Sequence, residues 1–386
     1  MKVQWQSRRF YPDLYGGSEV IGYEVVKEWR KIGVAVSVAT ENYQKSELLY
    51  DEPIEGVCCS RIPTGGLGIF WRVGAFARVC RWAWHQKDIA DEADVVFASN
   101  PECVVASKTV NRSRPVIYRC EGITPYFLPV LNRRISKQFM FVEKRAMRLA
   151  DAIVVASRIV KEQLVNYVDV DENKVFVVPY GVDFSRFSEA EIADELKEFR
   201  RKGEFVIACI GRLTREKGID YLIEAFSRLK RKEEARLVII GDGMLRDELK
   251  RYANDRGLNG RVVFAGKVSN PERYLAGADV HALMSRYETF GLAHIEAMSA
   301  GVPTISWRSR FDDSLVAASE IIIEGKTGFC IEPRDVSSLS KLLDELIGNR
   351  KIVFELGRNA QEYVKRTYSW KKTAEEYLRV IENVVR

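Results

Sequence analysis

Short apolar runs alternate along this chain with longer stretches of helical periodicity, and that alternation restricts the architecture more than any other feature. Runs at residues 34–40, 95–98, 116–118, 153–156 and 175–178 read as buried parallel strands, apolar on both faces. Between them, 18–31, 72–90 and 135–149 carry helical patterns. A second series places strands at 205–210, 237–240, 262–264, 280–283 and 304–306. A polar, charged segment at 183–203 separates the two series, and a last helical stretch covers 370–386. The expected fold is α/β: two doubly wound, Rossmann-like domains, residues 1–184 and 185–369. The final helix 370–386 is expected to pack back on the first domain. Two such domains face an interdomain cleft at the carboxyl ends of their strands, where open α/β sheets bind ligands.

A length of 386 residues with 46% apolar side chains sustains two cores. No apolar run approaches the roughly 20 residues needed to cross a bilayer. The opening Met1-Lys2-Val3-Gln4-Trp5-Gln6 lacks the apolar segment of a signal peptide. The expected location is the cytoplasm, either free or at the inner membrane face. Seven cysteines, with no CxxC pair and only three histidines, argue against a disulfide framework or a structural zinc site. A net charge of +6 does not by itself point to nucleic acid, and no nucleic-acid partner is expected.

Three strand-to-helix junctions carry chemistry. The first lies in Ser285-Arg286-Tyr287-Glu288-Thr289-Phe290-Gly291-Leu292-Ala293-His294-Ile295-Glu296, followed by Ala300-Gly301-Val302-Pro303. The spacing predicts a helix that starts near Phe290 or Gly291 and stops at Gly301. Its free amides suit phosphate, and Glu288 and Glu296 suit sugar or ribose hydroxyls. The second is Gly211-Arg212-Leu213-Thr214-Arg215-Glu216-Lys217-Gly218, where Arg212 and Lys217 can clamp a diphosphate without a metal. The third is Gly16-Gly17-Ser18, either a site of close backbone approach or a simple turn. Asp169-Val170-Asp171 mimics a metal-holding DxD, but a solvated loop explains it better. His294 sits in an apolar helical run, where packing or a local hydrogen bond explains it better than catalysis.

With Glu288 and Glu296 inside E-x-F-G-x-x-x-x-E-A-M-x-x-G-x-P, together with Gly211-Arg212…Lys217-Gly218 and Gly16-Gly17, the chain resembles the family-four retaining glycosyltransferases of GT-B architecture. The resemblance implies transfer of a sugar from a nucleotide diphosphate sugar, UDP- or GDP-linked, as co-substrate with no other cofactor and no metal. It implies that Arg212 and Lys217 hold the diphosphate and that Glu288 holds the transferred sugar. Phe290, Gly291 and Leu292 offer backbone amides, Glu296 holds the ribose, and Gly211, Gly16 and Gly17 line the donor. Members often carry a histidine after the strand at 116–118. Here Cys120-Glu121-Gly122 stands there, so Glu121 either takes over that role or the role is absent. The family's Gly-Gly-x-Pro-Glu stretch beyond Pro303 is missing, and residues 307–318 read as a longer loop with Glu320 as a remnant. A sugar-nucleotide epimerase of similar fold, or a non-catalytic nucleotide-sugar-binding paralogue, remains an alternative.

The acceptor is a hydroxyl compound of unknown identity. Between Arg112 and Arg148 lie Arg112, Arg114, Arg119, Arg133, Arg134, Lys137, Lys144, Arg145 and Arg148, opposed only by Glu121 and Glu143 and interleaved with aromatics. Such a stretch reads either as a surface for anionic lipid headgroups or a phosphate-bearing acceptor, or as ordinary amphipathic helices.

Overall fold

The computed structural model describes residues 1–11, 17–42, 50–63, 74–89, 93–122, 137–310 and 314–385. The chain forms two compact units, Met1–Gly181 with Trp370–Arg386, and Val182–Ser369. The division has a local cause. The Asp183 side chain accepts from the Arg186 amide and caps a helix whose Arg186 side chain binds Glu272 at 2.9 Å, so this turn belongs to the second unit.

In the first unit, strands β1 (Lys2–Ser7), β2 (Ala35–Asn42), β3 (Tyr50–Ile54), β4 (Val57–Pro63), β5 (Val95–Ala98), β6 (Val116–Arg119), β7 (Ala152–Val155) and β8 (Val175–Val177) form one sheet. Its order is β3-β4-β2-β1-β5-β6-β7-β8, parallel except for the β3–β4 pair. Helices α1 (Gly17–Lys31), α2 (Ala75–Ile89), α3 (Pro101–Val110), α4 (Lys137–Leu149) and α5 (Arg158–Val168) connect the strands.

In the second unit, β9 (Phe205–Ile210), β10 (Ala235–Ile240), β11 (Val262–Gly266), β12 (Val280–Leu283), β14 (Thr304–Trp307) and β16 (Gly328–Ile331) form a parallel sheet of order β11-β10-β9-β12-β14-β16. Two short strands, β13 (Tyr287–Glu288) and β15 (Leu315–Val316), pair with each other. The helices are α6 (Phe184–Ser188), α7 (Asp194–Arg201), α8 (Ile219–Ser227), α9 (Arg246–Asn254), α10 (Pro271–Ala276), α11 (Leu292–Ser299), α12 (Ala318–Ile321), α13 (Val336–Gly348) and α14 (Arg350–Thr367). The last helix, α15 (Trp370–Val385), joins the first unit.

Aromatic packing anchors α15. Phe97 stacks on Trp5 at 5.0 Å and meets Tyr377 of α15 at 4.8 Å. The Trp29 indole N–H donates to the Ala374 carbonyl at 2.8 Å, and the Thr373 hydroxyl donates to that of Pro179 at 2.9 Å. Each fully buried aromatic of this cluster stabilises the fold by about 1.5–3 kcal/mol. The second core is mostly aliphatic, with Ile207, Ile239, Val280 and Ile305 on adjacent strands.

Three expectations change. Residues 307–318 are not simply a loop: Trp307 ends β14, and Leu315–Val316 pairs in register with Tyr287–Glu288. Arg119 does not belong to a basic surface, because its side chain is 1% exposed at the end of β6. Glu143 is no surface acid either: it is buried, and desolvation pushes its carboxyl up to about 8. All seven cysteines are free thiols, and among the described residues no helix is long and apolar enough to cross a membrane.

Candidate active site

The second unit's site grows from the end of β9. Beyond Gly211 and Arg212 the backbone turns through a short 3-10 segment, Arg215–Lys217, into Gly218. Gly218 has φ +58°, and a Cβ there would lie 2.0 Å from the Met284 carbonyl oxygen. Only glycine lets this turn press against the end of β12. The Arg286 amide, donating to Glu216 O at 2.7 Å, ties the same turn to the next segment. Lys217 is thereby carried to Glu288, with Nζ 2.5 Å from Oε2.

Glu288 is held from its other side by β15. The Leu315 amide donates to Arg286 O at 3.0 Å, and the Ala317 amide donates to Glu288 O at 2.9 Å. The Lys217 and Glu288 side chains are 15% and 17% exposed, sheltered yet open to a ligand. Charge-assisted pairs of this kind strengthen as the local dielectric falls. Arg212 is different: its side chain is 68% exposed and its Nη2 lies 3.6 Å from Glu216 Oε1.

Gly291, with φ +101°, precedes α11 and accepts from the His294 amide at 2.9 Å. The first amides of α11, those of Leu292 and Ala293, are among the donors a helix start leaves orphaned, and they suit an anion. Phe290 itself is a packing residue, 4% exposed and set edge-on to Tyr368 at 5.9 Å. Glu296, further along α11, is only partly exposed. Burial pushes its carboxyl up to about 7, with Arg186 lowering it and Glu272 raising it.

The structure therefore gathers Gly211, Lys217, Glu288 and Gly291, as the motifs suggest, and leaves Arg212 as an exposed arm. Glu121 lies in the other unit, 41% exposed, with Oε1 2.6 Å from Arg119 Nη2. Gly17 opens α1, and Gly16 lies outside the described residues. Among the described residues no group of three or more His, Cys, Asp or Glu is arranged to hold a metal ion. Asp169 ends α5 at φ +59°, and Asp171 accepts from the Asn173 amide to cap a short turn. This segment is a solvated turn, as expected.

Two features of this site escaped the sequence reading. One is β15, too short to show periodicity. The other is a buried trio beneath the Gly291 turn: His281 on β12, Thr304 on β14 and His294 on α11. His294 is buried, as its apolar helical run suggested, but the hydrogen bond of its ring is not a local one. Its partner is ten residues away on a neighbouring strand, and no local signal reveals it.

Comparison with known proteins agrees with this geometry. The model for glycosyltransferase family 4 matches residues 15–186, and that for glycosyl transferases group 1 matches residues 192–366. An uncharacterized glycosyltransferase of Methanocaldococcus jannaschii is 31% identical over 235 residues, which span 59% of this chain and 59% of that protein. Sucrose-phosphate synthase from Thermosynechococcus elongatus has a similar fold, with a TM-score of 0.85 at 18% identity over 99% of this chain and 98% of that one. HepE of Anabaena, solved with UDP and glucose, has a TM-score of 0.77 at 18% identity over 99% of both chains. The two matched models together span both Rossmann-like units, and the chain belongs to the family-four type of GT-B glycosyltransferases.

Proposed function

We propose that the protein transfers a glycosyl group from a UDP- or GDP-linked sugar to a hydroxyl acceptor, with retention at the anomeric carbon and without a metal. One observation carries this reading: the Lys217–Glu288 pair set beside the amide-bearing start of α11. A bound donor divides the pair. Lys217 turns to the diphosphate, joined by the exposed Arg212, and Glu288 takes the sugar hydroxyls. The amides of Leu292 and Ala293 face phosphate oxygens, and Glu296 accepts from the ribose hydroxyls. Fixed positive charge at the leaving phosphate stabilises the negative charge that develops there.

The bond from the anomeric carbon to the phosphate oxygen breaks as the bond to the acceptor oxygen forms on the same face. The acceptor's hydroxyl proton passes to the departing phosphate. The UDP found in HepE, which shares the fold, supports a nucleotide donor. A calorimetric screen of UDP, GDP and their sugars in EDTA tests this reading. The expected result is saturable binding of one nucleotide family, and an anomerically retained product by NMR. Binding or transfer that appears only after Mg²⁺ or Mn²⁺ is added overturns metal independence.

On the acceptor side, one surface favours an anionic or lipid-linked acceptor and peripheral membrane contact. Phe76 and Trp84 of α2 and Phe141 of α4 are 46%, 71% and 59% exposed, with Phe76 and Phe141 in ring contact at 5.6 Å. Lys137, Lys144, Arg145 and Arg148 are exposed on α4, and no described side chain of either helix exposes an acid. Aromatics flanked by cations suit an interface with anionic headgroups. Arg133 and Arg134 lie outside the described residues. Flotation with phosphatidylglycerol vesicles is expected to show binding that falls with salt and is lost on reversing Lys144, Arg145 and Arg148 to Glu. Salt-insensitive or absent flotation returns these residues to an ordinary solvated face.

A further inference from the structure

His281 and Thr304 are register partners on β12 and β14. The Thr304 Oγ1 lies 2.9 Å from His281 Nδ1 and 2.7 Å from His294 Nδ1, and the two rings meet edge-on at 5.3 Å. All three side chains are fully buried. One hydroxyl carries one proton, so at least one imidazole must donate its Nδ1–H to that oxygen. Both Nε2 atoms are buried and have no hydrogen-bond partner among the described residues. An unpaired buried nitrogen costs stability, so packing alone is a weak reason for two histidines at this place.

The His294 ring has a definite neighbour. A Cβ built on Gly291 would fall 2.7 Å from His294 Cδ2 and 3.4 Å from Glu288 Cγ. The imidazole therefore fills the space a side chain at 291 would need, while the His294 amide holds the Gly291 carbonyl at 2.9 Å. Ring and amide grip the left-handed glycine from two sides, with Glu288 against it. Burial, followed by the charge of Lys217, pushes the His294 imidazole down to about 3, so it stays neutral beside the Lys217–Glu288 pair.

We propose that His294, oriented by the Thr304 hydroxyl with His281 behind it, is a positioning residue that fixes the Gly291 turn, and with it Glu288 and the first amides of α11. This rests on the donor-binding role proposed above for that turn. A hydroxyl that fixes the ring angle is what separates this role from simple space filling.

The decisive pair of variants is Thr304→Val, which keeps the volume and removes the hydroxyl, and Thr304→Ser, which keeps the hydroxyl. Amide hydrogen exchange over residues 289–293 of the ligand-free protein is expected to rise about tenfold in Thr304→Val and to stay at the wild-type rate in Thr304→Ser. Release of sugar from the UDP- or GDP-sugar into water should lose about tenfold in kcat in Thr304→Val, with KM within about twofold and full rescue in Thr304→Ser. Equal exchange in Thr304→Val and wild type overturns the proposal, as does a serine variant as impaired as the valine one. Should the valine variant fold poorly, nitrogen-15 spectra of the wild-type protein decide. The expected result is two neutral imidazoles between pH 5 and 8, at least one carrying Nδ1–H; imidazoles that titrate in that range overturn the proposal. If the wild type binds neither UDP nor GDP, the donor reading fails instead, and the exchange and imidazole results still judge the wedge.

Discussion

Each unit sets a cation–carboxylate pair at the carboxyl end of its parallel strands, and the two are built in opposite ways. In the first unit the cation is sunk and the carboxylate exposed. Arg119, at the end of β6, lies 5.7 Å from the Trp5 ring and 5.9 Å from the Tyr180 ring. Its Nε donates to Ser99 Oγ at 3.2 Å, and Nη2 reaches Glu121 at 2.6 Å. In the second unit Lys217 and Glu288 are about equally sheltered, and Glu288 is the one ion-pair partner Lys217 is seen to hold among the described residues. A buried guanidinium shared among several fixed partners cannot leave them for a ligand without exposing a desolvated charge. A single ammonium–carboxylate contact at a partly open position can be exchanged for phosphate on one side and hydroxyls on the other. The difference separates a structural pair from an exchangeable one, which is what the proposed donor role requires.

The largest test of that contrast is truncation of the buried cation. Arg119→Ala is expected to lower unfolding stability by about 3–5 kcal/mol, the range for truncating a large side chain in a core. Urea unfolding followed by tryptophan fluorescence measures it, since Trp5 packs beside the guanidinium. A loss below about 1 kcal/mol would mean that Arg119 is as replaceable as a surface cation and would break the comparison.

Next comes the exchangeable pair. Lys217→Ala is expected to reduce glycosyl transfer about 10²- to 10³-fold, the scale for removing a fixed donor at a developing negative charge. The same change should lower stability by less than about 2 kcal/mol, because the Glu288 carbonyl still accepts from the Ala317 amide and its carboxylate keeps access to water. Steady-state rates beside thermal unfolding separate the two effects. A variant that loses stability and rate in proportion would place Lys217 with Arg119 among the structural cations.

The sheets were legible because buried parallel strands are written as apolar runs: β5, β9 and β12 fall at the residues the runs mark. The β3–β4 hairpin escaped because β4, paired on both sides, carries Cys58, Cys59, Ser60 and Arg61 rather than a continuous apolar run, and β3 is a short edge strand. The motifs marked the Gly218 and Gly291 turns, whose left-handed backbone favours glycine, together with Glu288 and Glu296. They did not show what holds them. The Glu288 segment depends on amides 29 residues on in sequence, Leu315 to the Arg286 carbonyl and Ala317 to that of Glu288, and His294 depends on a strand hydroxyl. Those are long-range contacts decided by register rather than by local pattern. Counting charges along 112–148 failed for a related reason: Arg119 and Glu143 point into the core, and burial is not written in a charge tally.

The smallest effect separates Glu296 from both pairs, because this carboxylate has no bonded cation among the described residues and burial pushes it up to about 7. Its carboxyl is pushed from the ordinary 4.5 up to about 7, first by burial. The sign for folding follows from linkage. Between about 4.5 and 7 the folded state holds the proton that the unfolded state has released, so stability falls as pH rises through that window. Donor binding runs the other way, because the ionised carboxylate is the better acceptor of two ribose hydroxyls. About one molecule in eleven is ionised at pH 6 and about ten in eleven at pH 8, so nucleotide affinity should rise about tenfold, or about 1.4 kcal/mol, across that range. Calorimetric titration of UDP or GDP at fixed ionic strength measures the slope, and Glu296→Gln should flatten it. An affinity independent of pH between 6 and 8 in the wild type would place the ribose on another group and leave Glu296 as a partly buried acid facing the Arg186–Glu272 pair.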